Sequence, residues 1–215
     1  MRARRSARPR RIALVGIGGP AGAGKTALIE QLILRLMARG TEVAVITCGR
    51  SRTPGAVSLR RSGWIAPERV ANLRPGAGVE KEATSVARAV GDMAARIPGL
   101  ELILIEQHGR ASPMVALDYR LRVIDADARA EENAERGARE ACDLLVVNKT
   151  DLTPAVGRTL ESSPSDNDDG KPRGGARQVV AASCATGVGV DRVVSLIVQD
   201  VLGSRRVVAA AGAAR

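Results

Sequence analysis

Residues 19–26 read Gly-Pro-Ala-Gly-Ala-Gly-Lys-Thr, the G-x-x-x-x-G-K-[ST] spacing that holds phosphate groups. Glycines let backbone N–H groups close around phosphate oxygens, and a helix opening at the end of the loop adds its dipole. Gly19, Pro20, Ala21, Gly22, Ala23 and Gly24 are therefore the expected loop contacts. Lys25 is expected to reach the outer phosphates and serve catalysis, and Thr26 to bind Mg²⁺ through its hydroxyl. The bland alternative is a glycine-rich turn with a chance Gly-Lys-Thr, but a strand pattern precedes the loop and a helix pattern follows it. A looser G-x-G-x-x-A overlaps at Gly16, Gly18 and Ala21. That dinucleotide signal is weak, because Thr47-Cys48-Gly49 stands where an acid belongs after the second strand.

Asn148-Lys149-Thr150-Asp151 closes a later apolar run. A carboxylate at Asp151 can accept from both the ring N–H and the exocyclic amine of guanine. Adenine lacks that pair of donors and would leave the acid unpaired. Asn148, Lys149 and Asp151 are thus guanine contacts, with GTP as the nucleotide. Read otherwise, the four residues are a strand-end turn. Ser183, Cys184 and Ala185 follow the next strand and are expected to bring backbone N–H groups to the guanine oxygen. Glu106 ends the third strand pattern, where an acid can hold Mg²⁺ or orient the attacking water. His108 is the single histidine, and Cys48 lies at another strand end. These two are the transition-metal candidates, although one Cys and one His without supporting spacing make a poor site. The alternative for His108 is a loop residue with no special duty.

Such residues need a scaffold, and the pattern of the chain supplies one. Strands are expected at 11–17, 42–47, 100–106, 119–125, 142–149 and 176–183, and helices at 25–39, 79–97 and 188–202. Apolar strands alternating with helices imply an α/β fold, with a mainly parallel sheet covered by helices on both faces. With the phosphate loop this is a P-loop NTPase of G-protein-like kind. Ligands bind outside the carboxyl ends of such strands, and every motif above falls at one. Residues 11–203 form the expected single domain, with a flexible loop over 161–175, a basic tail over 1–10 and a second tail over 204–215.

The 215 residues suffice to bury a core, but there is no Phe, one Trp and one Tyr. Val, Leu, Ile and Ala must fill the interior through many small contacts. The formal net charge of +10 is concentrated in part in "MRARRSARPRR". No aromatic residue is interleaved there to stack on bases, so nucleic-acid binding is not expected. No apolar run approaches the roughly 20 residues that span a bilayer. Cys48, Cys142 and Cys184 form no CxxC pair, which suits reduced thiols in the cytoplasm.

"GIGGPAGAGKTAL" (16–28), "APERV" (66–70), "VNKTDL" (147–152), "PAVGRTLE" (154–161) and "RGGARQVV" (173–180) follow in that order. The ordered set resembles the urease accessory G protein family, over most of residues 12–202, and its sibling in hydrogenase maturation. The resemblance implies a GTP-dependent metallochaperone that binds GTP and Mg²⁺ and forms a nucleotide-dependent homodimer. It would deliver nickel to apo-urease, or a related apo-metalloenzyme, together with other accessory proteins. It assigns Gly22, Gly24, Lys25 and Thr26 to phosphate and Mg²⁺, and Asn148, Lys149 and Asp151 to guanine. Glu106 and Gly109 fall where the family has Glu-Ser-Gly-Gly. The family also places a nickel-binding Cys-Pro-His before the second helix pattern. Here residues 70–84 read "VANLRPGAGVEKEAT", with neither Cys nor His. The family's Thr-Asn-Asp becomes Thr47-Cys48-Gly49, followed by the basic "RSRTPG", and a Gly-rich loop becomes "RAEENAERGARE" (129–140). Slow GTP hydrolysis is expected from these losses. Two other readings stand beside this one. The first is a catalytically weak nucleotide-binding partner of a metalloenzyme assembly that does not itself bind nickel. The second is a small ATP-using kinase.

Overall fold

The computed structural model describes residues 11–48, 54–73, 79–107, 115–126, 142–153 and 176–203. In chain order the elements are β1 (Ala13–Gly18), α1 (Lys25–Ala38), β2 (Val43–Cys48), α2 (Pro54–Arg61), β3 (Val70–Leu73), α3 (Val79–Arg96) and β4 (Leu102–Glu106). They continue with β5 (Tyr119–Asp125), β6 (Cys142–Asn148), β7 (Ala176–Ala181) and α4 (Val190–Ile197). A wider helical turn, Val198–Gly203, extends α4.

The strands form one seven-stranded sheet in the order β3-β2-β4-β1-β5-β6-β7, and every pairing is parallel. Strand β1 lies in the middle, so its carboxyl end opens between β4 and β5. Parallel strands are covered on both faces, and alternation along each strand feeds two cores. Val43 and Val45 of β2 and Leu102 and Leu104 of β4 pack with Leu28, Ile29, Leu32, Leu59, Val193 and Ile197, the buried faces of α1, α2 and α4. Ala44, Ile46, Ile103 and Ile105 point the other way, against Val86, Ala89 and Met93 of α3. Each fully buried Leu, Ile, Val or Met contributes about 1.5–3 kcal/mol. This is how a chain almost without aromatic residues closes its interior.

The α/β expectation holds. Two elements went unforeseen in the sequence: α2 and the edge strand β3. Helix α2 is short, and β3 has four residues of which only Val70 is buried, so neither carries a long periodic pattern. The expected tails over 1–10 and 204–215 and the loop over 161–175 lie outside the described residues. No helix among the described residues is long and apolar enough to cross a membrane.

Candidate functional site

The loop between β1 and α1 turns twice through the left-handed region near its ends. Gly19 has φ 135° and Gly24 has φ 92°, angles that favour glycine. Space is equally restrictive. A Cβ on Gly19 would lie 2.1 Å from Val123 O of β5, and one on Gly24 would lie 2.2 Å from Asn148 Nδ2. Only hydrogen fits at either point. No side chain caps α1, so the N–H groups of its first turn, which have no partner inside the helix, face the loop.

Lys25 is 6 % exposed. Its Nζ donates to the carbonyls of Gly19 and Pro20 at 2.9 and 2.8 Å. Burial holds its ammonium below the usual lysine range, and the nearby Glu106 carboxylate partly opposes that shift. Thr26 Oγ1 donates to Glu106 Oε1 at 2.7 Å. Glu106 is 1 % exposed, and its second oxygen, Oε2, has no hydrogen-bond partner among the described residues. A buried carboxylate oxygen without a partner is costly. Here it stands beside a threonine hydroxyl at the mouth of a phosphate-type loop, the hard-oxygen donor set that suits Mg²⁺. The residues at this point fit that ion.

Asn148, at the end of β6, links the loops. Its Nδ2 donates to Ala23 O at 2.9 Å, and its Oδ1 accepts from the Cys184 N–H at 3.0 Å. It is 2 % exposed. One amide side chain thus ties the loop before α1 to the loop after β7. Lys149 follows with φ 64°, a conformation that costs a non-glycine residue about 1–2 kcal/mol. Its Nζ pairs with Asp125 at the end of β5, and its carbonyl accepts from Leu152 N at 3.0 Å. Thr150 fastens to Ala182 O through both its N–H and its hydroxyl. This turn leaves Asp151 exposed, close enough to Cys184 to help push that thiol up.

After β7 the geometry refines the expectation for Ser183 and Cys184. The Ser183 N–H donates to Val188 O at 2.9 Å, and the Cys184 N–H is held by Asn148. Both amides are committed inside the protein. The Ala185 N–H makes no hydrogen bond to the described residues, and Ala185 is exposed. The Cys184 thiol is buried, which raises it to about 11. Asp151 adds to the rise and Arg35 opposes it.

Pro20, Ala21 and Gly22 lie exposed at the crest of the first loop, while Ala23 is buried beneath it. Cys48 is 8 % exposed among the apolar residues that cover α3. His108 and Gly109 lie outside the described residues. Among the described residues, no group of three or more His, Cys, Asp or Glu side chains is gathered to hold a metal ion. Gly49, where an acid was expected after β2, lies outside the described residues; two positions before it, Thr47 is fully buried and donates to Asn72 Oδ1 of β3 at 3.1 Å. Sequence reasoning missed Asn72, Asp125 and Gln31. Asp125 could have been suspected from its place at a strand end. The other two carry no motif.

Residues 13–173 match the CobW/HypB/UreG nucleotide-binding domain. The "Urease accessory protein UreG 2" of Methylobacterium radiotolerans is 41% identical over 203 residues, spanning 90% of this chain and 96% of that protein. A "Urease accessory protein UreG 2" of Bradyrhizobium sp. is 38% identical, spanning 92% and 95%. Among solved structures, HypB from Helicobacter pylori in complex with nickel superposes with a TM-score of 0.59 at 14% identity, covering 91% of this chain and 87% of that one. That likeness speaks for the fold alone. The matched domain and the full-length relatives together show that this chain belongs to the CobW/HypB/UreG nucleotide-binding family, with urease accessory proteins UreG as its relatives.

Proposed function

We propose that this protein is a GTP-hydrolysing metallochaperone of urease maturation, which couples its nucleotide state to nickel delivery. The observation that carries the nucleotide half is the Asn148 bridge, which joins a phosphate-type loop and a base-type loop into one site. In this reading Asp151 accepts from the two donors on the guanine edge. The Ala185 N–H donates to the guanine oxygen. Ser183 and Cys184 shape that loop from within instead of touching the base.

The Lys25 ammonium leaves the Gly19 and Pro20 carbonyls for the outer phosphates. Its depressed proton affinity rises again once negative charge arrives. The first-turn N–H groups of α1 meet phosphate oxygens and favour their charge. Thr26 and Glu106 would hold Mg²⁺, which when bound would neutralise charge developing on the transferred group. Glu106 Oε2 is the acceptor that aligns a water at this mouth. The second acid that the family has after β2 is Gly49 here, at the end of Thr47-Cys48-Gly49, so slow turnover is expected.

Nickel is the cargo in this reading. The relatives' names supply the client, urease, and the HypB structure is of a protein in complex with nickel. Those names favour a maturation GTPase over a partner with no part in metal delivery. Cys48 and His108 remain the thiolate and imidazole that one chain could offer. With so few soft donors, a site shared across a nucleotide-dependent homodimer or with an accessory protein suits the ion better. The test is reconstitution: apo-urease, its accessory proteins, Ni²⁺ and this chain, with GTP or with a non-hydrolysable analogue. Urease activity that appears only with GTP is the expected result. Activation indifferent to this chain or to its nucleotide would overturn the proposal.

A further inference from the structure

The base loop is gripped from behind by α1. Gln31 Nε2 donates to Cys184 O at 3.1 Å. An amide side chain could sit either way round, but here its orientation is fixed. Gln31 Oε1 accepts from Arg35 Nη1, and a guanidinium has no acceptor to offer in return. Arg35 is itself held, with its Nε 3.4 Å from Asp191 Oδ1 of α4. Nη2 of Arg35 lies 2.8 Å from where a Cβ on Gly187 would stand, so the guanidinium fills the space under the same loop.

The consequence follows from one peptide plane. Cys184 C=O and Ala185 N–H belong to the same planar, trans peptide unit and point in opposite directions. Asn148 fixes one end of Cys184 through its N–H, and Gln31 fixes the other through its carbonyl. With the carbonyl drawn back onto α1, the Ala185 N–H must point away from α1. It is the one amide of residues 183–185 left without a partner among the described residues. We propose that Gln31 is a positioning residue for base specificity, aiming the Ala185 N–H at the oxygen on C6 of a 6-oxopurine. The inference rests on the guanine-nucleotide reading above and adds a residue that no phosphate or guanine motif contains.

Gln31→Glu tests it with almost no change of shape. A carboxylate keeps Arg35 as a partner but cannot donate to Cys184 O, and two acceptors then face each other. Gln31→Leu is the second variant, removing both polar contacts. Dissociation constants are measured for GTP and for 6-thioguanosine triphosphate, whose sulfur is a weaker acceptor at the one position in question. Wild type should favour GTP. Each variant should lose about tenfold in GTP affinity and far less for the thio analogue, so that the preference collapses. Equal losses for both nucleotides, or an unchanged preference, would mean that Gln31 only braces the fold and would overturn the inference while leaving the guanine reading intact. A wild type that binds neither nucleotide would remove both.

Discussion

Asn148→Ala is the most revealing substitution, because it separates a residue that reads the base from one that builds the site. If Asn148 served only to touch a nucleotide, its loss would leave the unliganded protein as stable as before. The structure argues otherwise. Its amide satisfies Ala23 O and the Cys184 N–H, both in buried surroundings, at 2.9 and 3.0 Å. Truncation orphans one acceptor and one donor, each at about 1–3 kcal/mol, and two losses in loops that can relax sum to about 3 kcal/mol. With a urea dependence of about 2 kcal/mol per M, the unfolding midpoint should fall by about 1.5 M. Asn148→Asp should be nearly as damaging, because it keeps an acceptor for Cys184 but turns an acceptor toward Ala23 O. The assay is equilibrium urea unfolding of the nucleotide-free protein, followed by far-ultraviolet circular dichroism. A midpoint shift below about 0.3 M for Asn148→Ala would refute the bridge as a structural element.

Three further outcomes follow from the same geometry. Lys25→Ala should weaken GTP binding by about 100-fold in equilibrium titration, yet leave unliganded stability nearly unchanged, because burial already works against its charge. Glu106→Gln removes a buried carboxylate whose Oε2 has no partner among the described residues; the unfolding midpoint should hold or rise, while GTP hydrolysis, read as phosphate release, drops about 100-fold. Cys184 should resist iodoacetamide at pH 8 in the native protein and react readily in urea. Its thiol is raised from 9.0 to about 11 chiefly by burial, so the neutral form is favoured in the fold. That contribution to stability is complete below pH 9.0 and fades as pH climbs through about 11. Native labelling at pH 8 as fast as in urea would contradict it.

Much of this was readable in the residues themselves. The Gly19–Thr26 loop announces itself because glycine is demanded by both angle and space. The strands β1, β2, β4 and β6 announce themselves as apolar runs, while β5 and β7 show only short apolar stretches broken by Arg120, Arg122 and Arg177. Long amphipathic helices such as α1 and α3 are equally plain. What stayed hidden has a physical reason. Strand β3 lies at the sheet edge and buries one side chain of four, so no alternation survives to mark it. The amides of Ser183 and Cys184 looked available because a sequence does not reveal where backbone hydrogen bonds go. Gln31 looked like an ordinary helix residue because its partner, Cys184 O, lies 153 positions away. The guanine loop was legible as a location, and its internal bracing was not.

The base that Asp151 reads decides whether this is a guanine-nucleotide protein. Affinities of GTP, ATP and xanthosine triphosphate should be measured for wild type and Asp151→Asn, with Mg²⁺ present. An asparagine can present a donor where the aspartate only accepted, and xanthine carries a carbonyl where guanine carries its amine. Wild type should bind GTP at least about 100-fold more tightly than either alternative, and Asp151→Asn should transfer the preference to xanthosine triphosphate. A wild type that binds ATP as well as GTP, or a variant that keeps its preference for GTP, would contradict the claim that this is a guanine-nucleotide protein.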